Sequence, residues 1–116
     1  MKTFAEFEII GRVGQIKEGN GVLWVSIAAE YGRKDNHGDF QSKPFWNDVS
    51  IFNENVIKWV KENTQKGDLV RATGTIRSES YEINSGETRH GVKLACDSFD
   101  NYAFSIRKQM ERQQAG

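Results

Sequence analysis

The sequence predicts an all-β protein: a five-stranded Greek-key barrel with one helix between the third and fourth strands. Three observations carry that prediction. Apolar and polar residues alternate through most of the chain, which is the period of a half-buried strand. One stretch, 53–67, switches to helical spacing, and turn-forming clusters such as "KEGNG" and "NSGE" separate the alternating runs. At 116 residues the chain can hold one packed core but not two.

The elements follow in order. "FAEFEIIGRVGQI" (4–16) and "GVLWVSIAAEYG" (21–32) are rich in β-branched and aromatic residues and flank "KEGNG", so they form a hairpin. "RKDNHGDFQSK" (33–43) is polar and has no apolar periodicity, which predicts a mobile loop. "PFWNDVSIF" (44–52) is the third strand, with the only proline, Pro44, at its first residue, where a missing donor does least harm. In "NENVIKWVKENTQKG" the apolar positions 56, 57, 59 and 60 mark one short helix, with Asn53 or Asn55 as its cap and Gly67 at its C-terminal end. Strands four (68–83) and five (88–99) close the barrel. Residues 1–100 are read as one domain, and 101–116 as a tail, partly helical or flexible, that Tyr102 and Phe104 pin to the barrel.

Charge and composition exclude several classes. Lys+Arg and Asp+Glu are both 16, so no basic excess advertises a nucleic-acid partner, and any such function must come from local placement. No apolar run reaches the ~18–20 residues of a membrane span. The start "MKTFAEFEII" carries acids where a signal peptide has its apolar middle, so a cytoplasmic protein without a membrane partner is expected. Cys96 has no second cysteine to pair with and reads as a small core residue. With only His37 and His90 beside it, no metal site is expected, and no cofactor. The acids are scattered and no nucleophile has a base at legible spacing, so catalysis is not expected.

The informative anomaly lies in "KPFWNDVSIF". Strand alternation puts Phe45, Val49 and Ile51 on one face and Trp46, Asp48, Ser50 and Phe52 on the other. The first is the core face; the second is polar and yet carries two large rings. The same bookkeeping sends Leu23, Val25, Ile27 and Ala29 inward and Trp24, Ser26 and Ala28 outward. In strand four it turns Arg71, Arg77, Glu79 and Tyr81 outward. In strand five Val92, Leu94 and Cys96 point in, leaving Arg89 and Lys93 out. The predicted outer surface therefore interleaves Trp24, Trp46, Phe52 and Tyr81 with Arg71, Arg77, Arg89 and Lys93. Rings and cations in that mixture suit a single-stranded nucleic acid, because every base has a π-face and every nucleotide a phosphate. Trp59 lies beside Val56 and Val60 on the helix and reads as structural, a plug for the barrel end or a subunit contact.

The order of three strands, a helix and two strands is that of an OB-fold, though other β-barrels fit it. "FEIIGRVGQI" with Gly11 and Gly14, "VSIAAEY", the block "FWNDVSIFNENVIKWVKENTQKGDLVRATGTIRSESYE" and the closing "VKLAC" resemble the bacterial and phage single-stranded DNA-binding proteins over residues 7 to 99. The resemblance implies that Trp46, Phe52 and Tyr81 stack on bases and that Arg77 adds a charge on the same strand. At the family's further aromatic position, at the end of strand two, the nearby residues are Tyr31 and Arg33. It also implies a homo-oligomer, tetramer or dimer. The dimer seam is placed along strand one, where Phe4, Phe7 and Ile10 offer more apolar surface than one barrel buries. The chain ends "MERQQAG", without the acidic, apolar tip by which bacterial members recruit replication and repair partners, so recruitment by that route is not expected.

The function read here is sequence-tolerant binding that protects and organises single-stranded DNA during replication, recombination or repair, with single-stranded RNA open as a second ligand. A primosome-type accessory or protein-interaction module using the same aromatic face is the alternative.

Overall fold

The computed structural model describes residues 1–115. Its strands are β1 (Glu6–Gly19), β2 (Val22–Lys34), β3 (Phe40–Ile51), β4 (Leu69–Glu82) and β5 (Thr88–Asn101). Helix α1 (Glu54–Asn63) joins β3 to β4, and helix α2 (Tyr102–Ala115) follows β5. The strands close in the order β1-β2-β3-β5-β4, the OB-fold topology, with every seam antiparallel except β3–β5, which is parallel over 49–51. No helix among the described residues is long and apolar enough to cross a membrane.

Alternation sets the core. Leu23, Val25 and Ile27 of β2, Val49 and Ile51 of β3, and Val70 and Ala72 of β4 are buried together with Val13 and Cys96. Each large side chain among them contributes about 1.5–3 kcal/mol by leaving water. Burial also pushes the Cys96 thiol up to about 11, so it stays protonated and inert. Helix α1 closes one end of the barrel: Val60 is buried, and Val56, Ile57 and Trp59 pack on the same cluster. Asn53 starts it, its side-chain oxygen accepting from the Asn55 and Val56 amides at 2.9 and 3.2 Å. The helix stops before the predicted 67, because Thr64 is already extended. Gly67 instead makes a left-handed turn (φ +92°) whose N–H donates to the Val13 carbonyl at 2.8 Å.

Outside the barrel the strands outrun it. β2 and β3 stay paired out to Lys34 and Phe40, and β4 and β5 out to Glu82 and Thr88, forming two arms with solvent on both faces. The arms correct several expectations. The predicted loop at 33–43 is mostly hairpin, with only 35–39 as its turn. The Asp35 carboxylate accepts there from the amides of His37 (2.9 Å) and Asp39 (3.0 Å) and from Gln41 (3.2 Å). Pro44 sits inside β3, opposite Glu30, and is tolerated because β3 meets β5 only over 49–51 and is an edge strand at that point. Phe45 and Val92, expected in the core, are 47% and 64% exposed because their positions lie on the arms. Ala29 is only partly buried, whereas Ala28, expected outward, is buried on the face of its cross-strand partner Trp46.

Helix α2 is tied to the barrel by a polar cluster at the α1 end. Asp68, buried, accepts from Arg107 Nη1 at 2.7 Å and Nη2 at 3.1 Å and from Asn101 Nδ2 at 2.9 Å. Asn101 also caps the helix, accepting from the Phe104 amide at 2.9 Å. Phe104 meets Trp59 edge-on, their centroids 5.2 Å apart. Burial alone would raise the Asp68 carboxyl; the hydrogen bonds from Arg107, Asn101 and the Gln65 amide outweigh it and hold the group down to about 2.

Candidate nucleic-acid interface

The outward residues of neighbouring strands line up across the barrel. Register sets Trp24 opposite Ser50, Ser26 opposite Asp48 and Ala28 opposite Trp46. On the far side it sets Arg77 opposite Lys93 and Tyr81 opposite Arg89. Directly opposed residues share a face, and the two halves meet where Lys93 Nζ lies 5.5 Å from the centre of the Phe52 ring. Trp24, Trp46, Phe52, Tyr81, Arg77 and Lys93 are thus brought onto one continuous surface, with Trp24, Asp48, Ser50, Phe52, Glu79 and Lys93 lining a groove across it.

The rings on that surface are exposed, Trp46 by 58%, Tyr81 by 53%, Phe52 by 45% and Trp24 by 42%. Two of them rest on glycines. The Trp46 ring reaches across Ala28 to β1 and fills the space a side chain on Gly14 would need, its Cη2 lying 2.7 Å from that Cβ position. Trp24 covers Gly19 in the same way, its Cζ3 at 2.6 Å. A glycine beneath a ring lets it sit close on the sheet while much of it stays exposed, and a ring so held has little rotamer entropy left to lose when something stacks on it.

The charges divide. Arg77 bonds only to Thr75 Oγ1, at 3.1 Å, and has no carboxylate partner among the described residues. Lys93 is 3.2 Å from Glu79, and Arg89, near the tip of the β4–β5 arm, is 3.8 Å from Glu87; all of these are exposed pairs that water screens. Arg71 is not brought to the site. It is held by Glu8 at 2.7 Å and Asp100 at 3.4 Å, about 20 Å along β4 from Arg77. Arg33 lies on the opposite face of the β2–β3 arm from Trp46, with Tyr31, Lys43 and Phe45. Tyr31 and Phe45 meet edge-on at 5.7 Å, and Lys43 Nζ lies 5.4 Å from the Phe45 centroid. Asp48 sits among the rings and accepts from Ser26 Oγ at 2.8 Å.

Lys17 joins this surface, although strict strand alternation places it inward with Val13. It faces outward opposite Trp24 because a bulge between Val13 and Ile16 reverses the parity of β1. The inward residues Val13 and Ile16, three apart, are the signal that reveals it. Among the described residues no three His, Cys, Asp or Glu side chains are grouped to hold a metal.

The chain is similar to proteins of one kind. A single-stranded DNA-binding protein of Rhizobium meliloti (strain 1021) is 25% identical over 100 residues, covering 80% of this chain, which in turn spans 58% of that relative's length. A Plasmodium falciparum SSB solved in complex with ssDNA superposes with a TM-score of 0.70 at 21% identity, covering 87% of this chain and 97% of that one. The Saccharomyces cerevisiae mitochondrial single-stranded DNA-binding protein Rim1 superposes with a TM-score of 0.64 at 23% identity, covering 88% and 98%. At those identities the structural likeness shows the fold. The sequence model of the Single-strand binding protein family matches residues 4–102, from before β1 through the whole barrel, and the chain belongs to that family.

Proposed function

We propose that the chain binds single-stranded DNA without sequence preference, stacking bases on Trp46, Phe52, Tyr81 and Trp24 while Arg77, Lys93, Arg89 and Lys17 meet phosphates. The observation that carries this is the set of exposed rings on one sheet face, two of them seated on glycines, with cations between them on a chain of zero net charge. A ring offers its face to any base, so the surface discriminates strandedness and not sequence. Arg71 is left out because it lies about 20 Å along β4 from Arg77, where Glu8 and Asp100 hold it. The names of the Rhizobium and yeast relatives and the DNA in the Plasmodium complex support the same ligand. The role that follows is to protect and organise single strands exposed in replication, recombination or repair, by binding and not by catalysis; single-stranded RNA is a second ligand for the same rings.

A homo-oligomer is part of the reading. On β1, Ile10 is 51% exposed, and Phe4 just before the strand is 75% exposed; Phe7, expected to share that seam, packs instead against the core. Ile10→Glu should lower the mass in solution, and an unchanged mass rejects the seam.

Titrating a thymidine oligonucleotide while following tryptophan emission at two salt concentrations tests the ligand. Tight binding that weakens with salt and greatly exceeds duplex binding is expected; equal affinity for duplex and single strand rejects the proposal.

A further inference from the structure

We infer that Phe40, at the outer end of the β2–β3 arm, is an additional base-stacking platform that carries the interface beyond the barrel. The inference rests on reading the Trp46 face as a single-strand site. Phe40 and Trp46 are both even positions of β3, so they share a face, about 20 Å apart along the strand. Phe40 is 69% exposed on an arm that has no core. Its ring lies over Gly32 and takes the space of a side chain there, with Cε2 2.8 Å from the Cβ position. This repeats the seating of Trp46 on Gly14 and of Trp24 on Gly19, each a ring that occupies a glycine's side-chain space and stays exposed.

Two neighbours suit the role. Lys34 is the direct cross-strand partner of Phe40 and takes part in no ion pair among the described residues, so a cation for phosphate stands beside the ring. The turn that carries both is held by Asp35, whose amide also donates to the Asp39 carbonyl at 2.8 Å, so the platform is positioned before any ligand arrives. A single strand lying along β3 from Phe52 past Trp46 reaches Phe40 next on the same face.

The competing account is that Phe40 only shields the Gly32 backbone, as aromatics do for strand glycines. Leucine separates the two, since it covers the glycine and has no π-face. The experiment titrates wild type, Phe40→Ala, Phe40→Leu, Phe40→Trp and Trp46→Ala with a thymidine oligonucleotide of about 16 nucleotides, the upper end of one OB-fold's site. Both Phe40→Ala and Phe40→Leu should weaken binding by about five- to 150-fold, the worth of one stacked base, while Phe40→Trp retains it. Gly32→Ala, which displaces the ring, should weaken binding in the wild-type background and add nothing to Phe40→Ala. Wild-type affinity in Phe40→Leu, or in Phe40→Ala, overturns the inference while a weakened Trp46→Ala leaves the site reading standing. If Trp46→Ala also binds like wild type, the site reading falls and the inference with it.

Discussion

Trp46 and Trp59 are the same residue doing opposite work. Trp46 lies on the outer sheet face, 58% exposed, its ring over Gly14. Trp59 lies on α1, half-buried against the core and met edge-on by Phe104. At the closed end of the barrel, then, apolar area leaves water on folding; on the outer face it stays in water, where the proposed function has a base cover it. Stability and affinity should therefore separate cleanly between the two regions.

The largest effect is expected at the closed end. Trp59→Ala should cost about 3–5 kcal/mol of stability and, below the melting transition, leave affinity unchanged. Reduced affinity in the folded variant, at unchanged stability, would erase the contrast. Next comes acid. The Asp68 carboxyl titrates near 3.8 when unfolded and at about 2 when folded, so its pairing stabilises fully above about pH 4 and is lost as pH falls through about 2. That is worth about 2 kcal/mol. Melts from pH 5 to 2 should show this loss in wild type and not in Asp68→Asn, which starts less stable.

Two smaller effects sharpen the outer face. Arg77→Ala should lower the slope of log affinity against log salt by about 0.7, one phosphate contact on a single strand, while Arg71→Ala leaves the slope alone and costs a little stability. Equal slopes in the two variants would mean that proximity to the rings does not matter. Asp48→Asn removes a negative charge from among the rings and should tighten binding by about two- to fivefold at low salt, less at high salt. Weaker binding would assign Asp48 a positive role.

The same division explains what could be read in the sequence. Inside the barrel one face is dry, so alternation carries the information, and Leu23, Val25, Ile27, Val49, Ile51, Val70 and Ala72 are all identifiable. Trp46, Phe52 and Tyr81 stand out because large rings at polar positions break the pattern. On the arms both faces are wet, so an apolar residue there does not mark a core; Phe45 and Val92 pass for core and a paired ribbon passes for a loop. Long-range partners are equally invisible. Nothing near Arg71 in sequence announces Glu8, 63 residues away, as its holder, and a bulge is needed to turn Lys17 toward Trp24.

The most direct test pairs a melt with a single-strand titration on wild type and Trp46→Ala. An unchanged melting temperature and affinity lower by about 1–3 kcal/mol are expected, with Trp46→Phe retaining most of the binding. An early melt, together with wild-type affinity in the protein that remains folded, would contradict this and make Trp46 ordinary core.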